Sequence, residues 1–203
     1  HHCGYNAIQK LSTVEHDYLT DGFWAKDFSE ELPAEGISAS FLVRMEDVTE
    51  QVLSVVNDTM TWAERNAAIA AKSKELELAA SEDGKYNPII SAFFEGNEYY
   101  MFVYRVYTDV RLVGTPPSSI GKFGGDTDNW MWPRHTGDFS IFRVYADAEG
   151  NPAPYSPDNK PLTPKHHLPI SLDGIQQDDF TMIWGFPGST ERYLTSYGID
   201  YNV

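Results

Sequence analysis

Several things are scarce in this sequence, and each shortage excludes something. One cysteine, Cys3, stands among 203 residues, so no internal disulfide can form and cysteine usage says nothing about redox compartment. Positive charge is thin: 15 basic residues face 30 acidic ones, for a net charge of −15. A chain of that sign lacks the cationic surface that nucleic acid or an anionic membrane requires, so neither is a partner. No apolar run approaches the length of a membrane-spanning helix. No cleavable leader and no internal repeat are visible. The chain opens on His1-His2-Cys3 without a Met and stops at Asp200-Tyr201-Asn202-Val203, and it reads as a fragment of a longer protein.

The residues present are enough for a real core, with 41% hydrophobic and 14% aromatic residues. His1 to Thr13 suggests one helical turn, and Val14 to Gly36 suggests loop. Ile37 to Met45 alternates, with Ile37, Ala39, Phe41, Val43 and Met45 on one face, which predicts a strand. From Asp47 the period changes. Asp47 with Glu50 is a capping signal, and Val48, Val52, Val55 and Val56 share a helical face. A second helix begins after Thr61, with Glu64 completing a capping box and Trp62, Ile69 and Leu76 recurring every seven residues. Gly84 is placed to end it. The segment from about 47 to 84 is therefore a helical hairpin inserted in a β domain.

Strands return at Pro88–Phe94 and Tyr99–Tyr107, joined by a Glu95-Gly96-Asn97-Glu98 turn. Tyr100, Phe102, Tyr104 and Val106 share one side of the second strand, and Met101, Val103, Arg105 and Tyr107 the other. Arg111 to Ile120 reads as loop around Pro116-Pro117. Phe139 to Tyr145 alternates and reads as strand. Ala148 to Pro164 is proline-rich loop, and Asp179 to Trp184 reads as a last strand. Short strands with turns between them predict a mainly β fold, a barrel or sandwich carrying a helical insertion.

The densest stretch is Gly124 to Arg143, GGDTDNWMWPRHTGDFSIFR. It places Asp138 where a polar, aromatic loop hands over to a strand. An acid there is costly to bury unless a partner holds it. His16 stands alone, His135 sits in a loop, and His166-His167 point different ways in an extended backbone. His2 is the informative histidine. Nucleophilic hydrolysis needs an imidazole to take the nucleophile's proton and a carboxylate to orient that imidazole. The order His, then Asp, then a later Ser is that of chymotrypsin-like proteases. No Gly-x-Ser-Gly setting for a nucleophile is present. Ser189 in Gly188-Ser189-Thr190 is a poor substitute, and Cys3 adjoins its own supposed base. Asp126-Thr127-Asp128-Asn129 fits a calcium loop badly, because Trp130, Met131 and Trp132 follow where a Gly is needed. Neither a metal nor another cofactor is expected.

Three segments together resemble one family. They are His1 to Gln9, Gly124 to Ser140, and Gly185 to Thr190 with Arg192-Tyr193. The family is the bacterial serine dipeptidyl peptidases of the dipeptidyl-peptidase 7 and 11 type. The resemblance spans nearly the whole chain, and its middle motif is long and unusual. It implies a chymotrypsin-like β-barrel, incomplete here: the first barrel and a lead, at about 190–203, into a downstream region. It implies removal of dipeptides from the free N-termini of peptides. His2 matches the family's catalytic base and Asp138 its orienting acid, 136 residues apart. Asn129 and Trp130 match residues that hold the substrate's α-amino group. An Asn oxygen can accept from an ammonium, and a Trp ring can wall off the groove or face the cation.

The family's serine nucleophile lies beyond this chain, so the 203 residues alone are expected to be inactive. A homodimer and a periplasmic, cell-surface or secreted location are implied by the resemblance alone. Preference for hydrophobic or acidic residues before the cut is not readable. A non-catalytic peptide- or glycan-binding module, suggested by acidic, Trp- and Tyr-rich loops, and a trypsin-like endopeptidase fragment stay open as alternatives.

Overall fold

The computed structural model describes residues 2–125, 127, 131, 135–182 and 194–202. The chain divides into two compact units, residues 1–164 and 165–203.

The first unit is built on two antiparallel sheets, and its framework is mainly β with helices attached. Its helices are α1 (His2–Leu11), α2 (Tyr18–Asp21), α3 (Thr49–Leu53), α4 (Trp62–Ala80) and α5 (Ser118–Gly121). Its strands are β1 (Phe23–Trp24), β2 (Leu32–Pro33), β3 (Ala39–Asp47), β4 (Asn87–Phe93), β5 (Glu98–Tyr107), β6 (Val110–Thr115), β7 (Ile141–Ala146) and β8 (Lys160–Pro161).

The smaller sheet has the order β3-β5-β4. Alternation along β5 buries Tyr99, Met101 and Val103 against Val48, Val52, Ile69 and Leu76 of the α3–α4 segment. These two helices, Thr49–Leu53 and Trp62–Ala80, lie within the segment where the periodicity changes. The capping box is complete: Thr61 N donates to Glu64 Oε2 at 2.8 Å, and Glu64 N to Thr61 Oγ1 at 3.3 Å. Asp47 accepts from Thr49 N at 2.9 Å. Three details differ. Trp62 is 74% exposed, although Ile69 and Leu76 of the same repeat pack inward. α3 ends at Leu53, so Val55 and Val56 lie past it. A bulge between Leu42 and Arg44 breaks the alternation of β3. Leu42 and Met45 therefore pair with Tyr104 and Phe102 on the face away from the helices, and the predicted face of Phe41, Val43 and Met45 is exposed.

The larger sheet runs β1-β6-β7-β8, with β2 also on β6. Here β6 corrects the reading of Arg111 onward as loop. Residues 110–115 show no period of two because β6 is central and five of its six residues are buried. Pro116-Pro117 ends the strand by withholding donors. The expected loop from Val14 to Gly36 contains α2 and two short strands that pair with β6, Phe23 with Thr115 and Leu32 with Leu112. Trp24 lies flat on Gly114, where a Cβ would fall 2.6 Å from its Cζ3. α1 runs three turns rather than one, because Ala7 and Ile8 bury into a cluster with Ala34 and Leu112.

The second unit, among its described residues, contains one helix, α6 (Ser196–Asn202), and no strand. The strand expected at 179–184 is not formed at Asp179–Met182, which is irregular; Ile183 and Trp184 lie outside the described residues. Asp179 instead closes a turn, accepting from Gln176 N at 2.7 Å, and Phe180 and Met182 are exposed with no strand to pair against. His166 and His167 also differ from expectation: their rings stack at 6.2 Å.

Candidate active site

Two segments carrying candidate residues meet at the far end of β6 and β7. The first is the opening turn of α1, which begins at His2. The second is residues 136–140, which lead into β7. The joint between them is built from small residues. A Cβ on Gly4 would lie 2.7 Å from Thr115 Oγ1 and 2.8 Å from Ser140 Cβ, with Ser140 Oγ nearer still. No side chain fits there, so the helix rests directly on the strand ends. Thr115 is fully buried, and among the described residues neither its hydroxyl nor that of Ser140 has a hydrogen-bond partner.

Asp138 is held by local backbone geometry. Gly137 N donates to Ile120 O at 3.0 Å, which ties the segment to α5. Phe139 N donates to Gly137 O at 3.1 Å, closing a three-residue turn with Asp138 at its centre. Thr136 Oγ1 donates to Phe123 O at 3.3 Å, and the Phe139 ring meets Trp24 at 5.9 Å. β7 starts at Ile141, two residues later than the alternating pattern suggests. Asp138 is exposed on this surface, and Cys3 is exposed nearby in sequence to His2. The His2 side chain, Asn129, Trp130, Ser189 and three members of the calcium-like tetrapeptide, Asp126, Asp128 and Asn129, lie outside the described residues.

The opposite end of the same strand pair holds an ionic network. Asp109 and Arg111 are both buried, and Arg111 Nε and Nη2 donate to the Asp109 carboxylate at 3.0 and 2.8 Å. Asn159 Nδ2 adds a bond to Asp109 at 2.9 Å, and Arg111 Nη2 also donates to Ser156 O at 2.8 Å. The guanidinium is sandwiched, 3.6 Å from the Tyr145 ring and 4.8 Å from that of Tyr155. Tyr145 in turn donates its hydroxyl to buried Glu31 at 2.8 Å, and Arg143 Nε donates to the other Glu31 oxygen at 2.8 Å. Burial pushes the Asp109 carboxyl up, but the bonds from Arg111 and Asn159 outweigh it and hold the acid below its ordinary value. Burial, and then the Glu31 carboxylate, push Tyr145 up to about 12.

A cavity of about 310 Å³ opens beside this network, lined by Ala25, Phe28, Glu31, Val113 and Arg143 among others. Both Glu31 oxygens are already committed, one to Arg143 and one to Tyr145. Sequence reasoning misses this network. Its one available signal is Asp109-Val110-Arg111, two opposite charges on one face of a strand.

Comparison with known proteins places the whole chain. A family model described as Peptidase S46 matches residues 1–203. The chain is 56% identical over all its 203 residues to a dipeptidyl-peptidase 7 of Capnocytophaga gingivalis, of which it covers 28%. It is 53% identical to an Asp/Glu-specific dipeptidyl-peptidase of Porphyromonas gingivalis, with 98% of this chain and 29% of that protein covered. Among solved structures, Porphyromonas endodontalis DPP11 in complex with the dipeptide Arg-Asp superimposes with a TM-score of 0.78 at 47% identity, over 86% of this chain and 26% of that one. The chain spans under a third of the length of the curated relatives it matches.

Proposed function

The chain belongs to the peptidase S46 family, and from that premise we propose that it forms part of the catalytic domain of a serine-type dipeptidyl peptidase. In this reading residues 1–203 belong to a chymotrypsin-like domain, with the 47–84 hairpin as an insertion and 190–203 leading onward to the rest. His2 is the base that takes a proton from a serine hydroxyl supplied elsewhere in the full-length protein. As the serine oxygen bonds to the scissile carbonyl carbon, the imidazole becomes an imidazolium. It then returns that proton to the leaving amine as the peptide C–N bond breaks. Asp138 orients the ring and stabilises its charged form. Asn129 and Trp130 receive the substrate's α-ammonium, which makes the enzyme count from a free N-terminus. The substrates are peptides, the protein acts in the periplasm or at the cell surface, and it works as a homodimer.

The observation that carries this reading is the joint at Gly4. It sets the turn that begins at His2 against the segment that holds Asp138.

The test uses the full-length protein and chromogenic dipeptides, free or N-acetylated. Free substrates are cleaved and acetylated ones are not, because blocking the amine leaves the anchor's polar groups unpaired. Asn129→Ala lowers kcat/KM for free substrates by roughly 10–100-fold, the loss of one hydrogen bond to a charge. Equal cleavage of both substrates, or an unchanged kcat/KM in the variant, refutes the amino-anchor role. Residues 1–203 alone release no product.

A further inference from the structure

The joint between α1 and the strand ends has a property that its packing alone does not call for. Gly4, Thr115 and Ser140 come from three separate elements: the first turn of α1, the end of β6, and the approach to β7. They leave room at Gly4 for a hydrogen and nothing larger. Rotation about χ1 can turn either hydroxyl away, but Ser140 Cβ is fixed by its backbone, so a Cβ at Gly4 has to part the two segments. The two hydroxyls that close the joint are buried without partners among the described residues. A chain selected for stability alone would place Val at 115 and Ala at 140, which keep the shape and leave no hydroxyl unpaired. Groups left unsatisfied in this way collect where position matters more than stability. Two residues before Gly4 is His2, and two residues before Ser140 is Asp138.

We propose that Gly4, Thr115 and Ser140 form a spacing clamp, with Ser140 a positioning residue that sets how closely the base-bearing turn approaches the acid. The clamp rests on the reading of His2 and Asp138 as base and acid. Ordinary carbon–carbon contact is about 3.5–4.0 Å. A Cβ at Gly4 starts 2.8 Å from Ser140 Cβ, so accommodating it parts the two segments by most of an ångström. A misplacement of that size costs a catalytic constellation about 100-fold. It also withdraws the carboxylate from the imidazole, which makes the imidazole a weaker base.

The experiment compares full-length wild-type protein with Gly4→Ala, Ser140→Thr, the double variant Gly4→Ala/Ser140→Gly, and Asp138→Asn. Each is assayed for kcat, KM and the pH profile of kcat/KM on a free-N-terminus dipeptide substrate. Gly4→Ala lowers kcat by about 100-fold with KM little changed, and its acid limb moves to lower pH by about one unit. Ser140→Thr, which adds a methyl from the strand side, does the same. Ser140→Gly in the Gly4→Ala background restores the limb and part of kcat. If Gly4→Ala does not fold, Ser140→Thr decides by the same two readouts.

A fall in kcat with an unmoved acid limb overturns the clamp, because that marks a structural defect only. Wild-type kcat and limb in folded Gly4→Ala and Ser140→Thr, with Asp138→Asn strongly impaired, overturn the clamp and leave the base–acid reading standing. An unimpaired Asp138→Asn overturns both.

Discussion

The two ends of the β6–β7 pair are opposites. At one end, Asp109, Arg111, Asn159, Tyr145, Glu31 and Arg143 form a chain in which every charge has a partner within 3.0 Å. At the other end, Thr115 and Ser140 carry hydroxyls without partners among the described residues, and Asp138 sits exposed at the centre of a tight turn. The same two strands run through both, so backbone geometry does not explain the difference. Where charges are buried, they must be paired, and the pairing locks β6, β7 and the 154–159 segment together. The other end, where we propose the orienting acid, is shaped by a backbone turn and a joint of small residues rather than by a buried charge network. On that proposal one end is scaffold and the other is working surface.

The sharpest way to break that comparison is Asp138→Asn in the full-length protein. It lowers kcat by about 10,000-fold on a dipeptide substrate while urea unfolding shifts by less than roughly 0.5 kcal/mol. A large loss of stability with intact kcat makes Asp138 scaffold and sinks the distinction. Arg111→Ala is the mirror experiment. It strands the buried Asp109 carboxylate and costs about 3–5 kcal/mol in urea unfolding.

Alkaline pH probes the same end. Tyr145 deprotonates near 10 when unfolded and near 12 when folded, so its contribution is complete below pH 10 and lost as pH rises to about 12. Two units at about 1.4 kcal/mol each give about 3 kcal/mol, and Tyr145→Phe removes that pH dependence. Asp109 acts in the opposite sense: its stabilisation is present above the ordinary carboxylate value of 3.8 and fades as pH falls below it. Smallest of the set, Asn159→Ala removes one bond to Asp109 and costs about 1–2 kcal/mol, read from the same unfolding curve.

Legibility in the sequence follows the physics of each element. The Thr61–Glu64 capping box, the inward face of β5 and the helical hairpin are readable because each depends on residues near one another in the chain. β6 is not, because a central strand buried on both faces carries no alternation to detect. Alternation misassigns the outward face of β3 because one bulged residue flips every side chain after it. The strand expected at 179–184 has suitable composition, but Asp179–Met182 has no partner strand among the described residues. His2 and Asp138 can be named because their flanking residues form a long motif. The close fit at Gly4 cannot, since a glycine announces nothing until its neighbours from distant strands are known.

Sequence by itself determined the family, the acidic character, the capped helix that begins after Thr61 and which residues are candidates for base, acid and amino anchor. Each of these rests on composition, on local periodicity or on motifs readable along the chain. Tertiary structure alone decided that β6 is the central strand, that Asp109 and Arg111 are a buried pair, and that Gly4 meets Thr115 and Ser140. Those facts join residues more than a hundred positions apart or, like the burial of the neighbouring Asp109 and Arg111, depend on what other segments pack over them. Only the folded backbone brings such groups within the few ångströms over which packing and hydrogen bonds act.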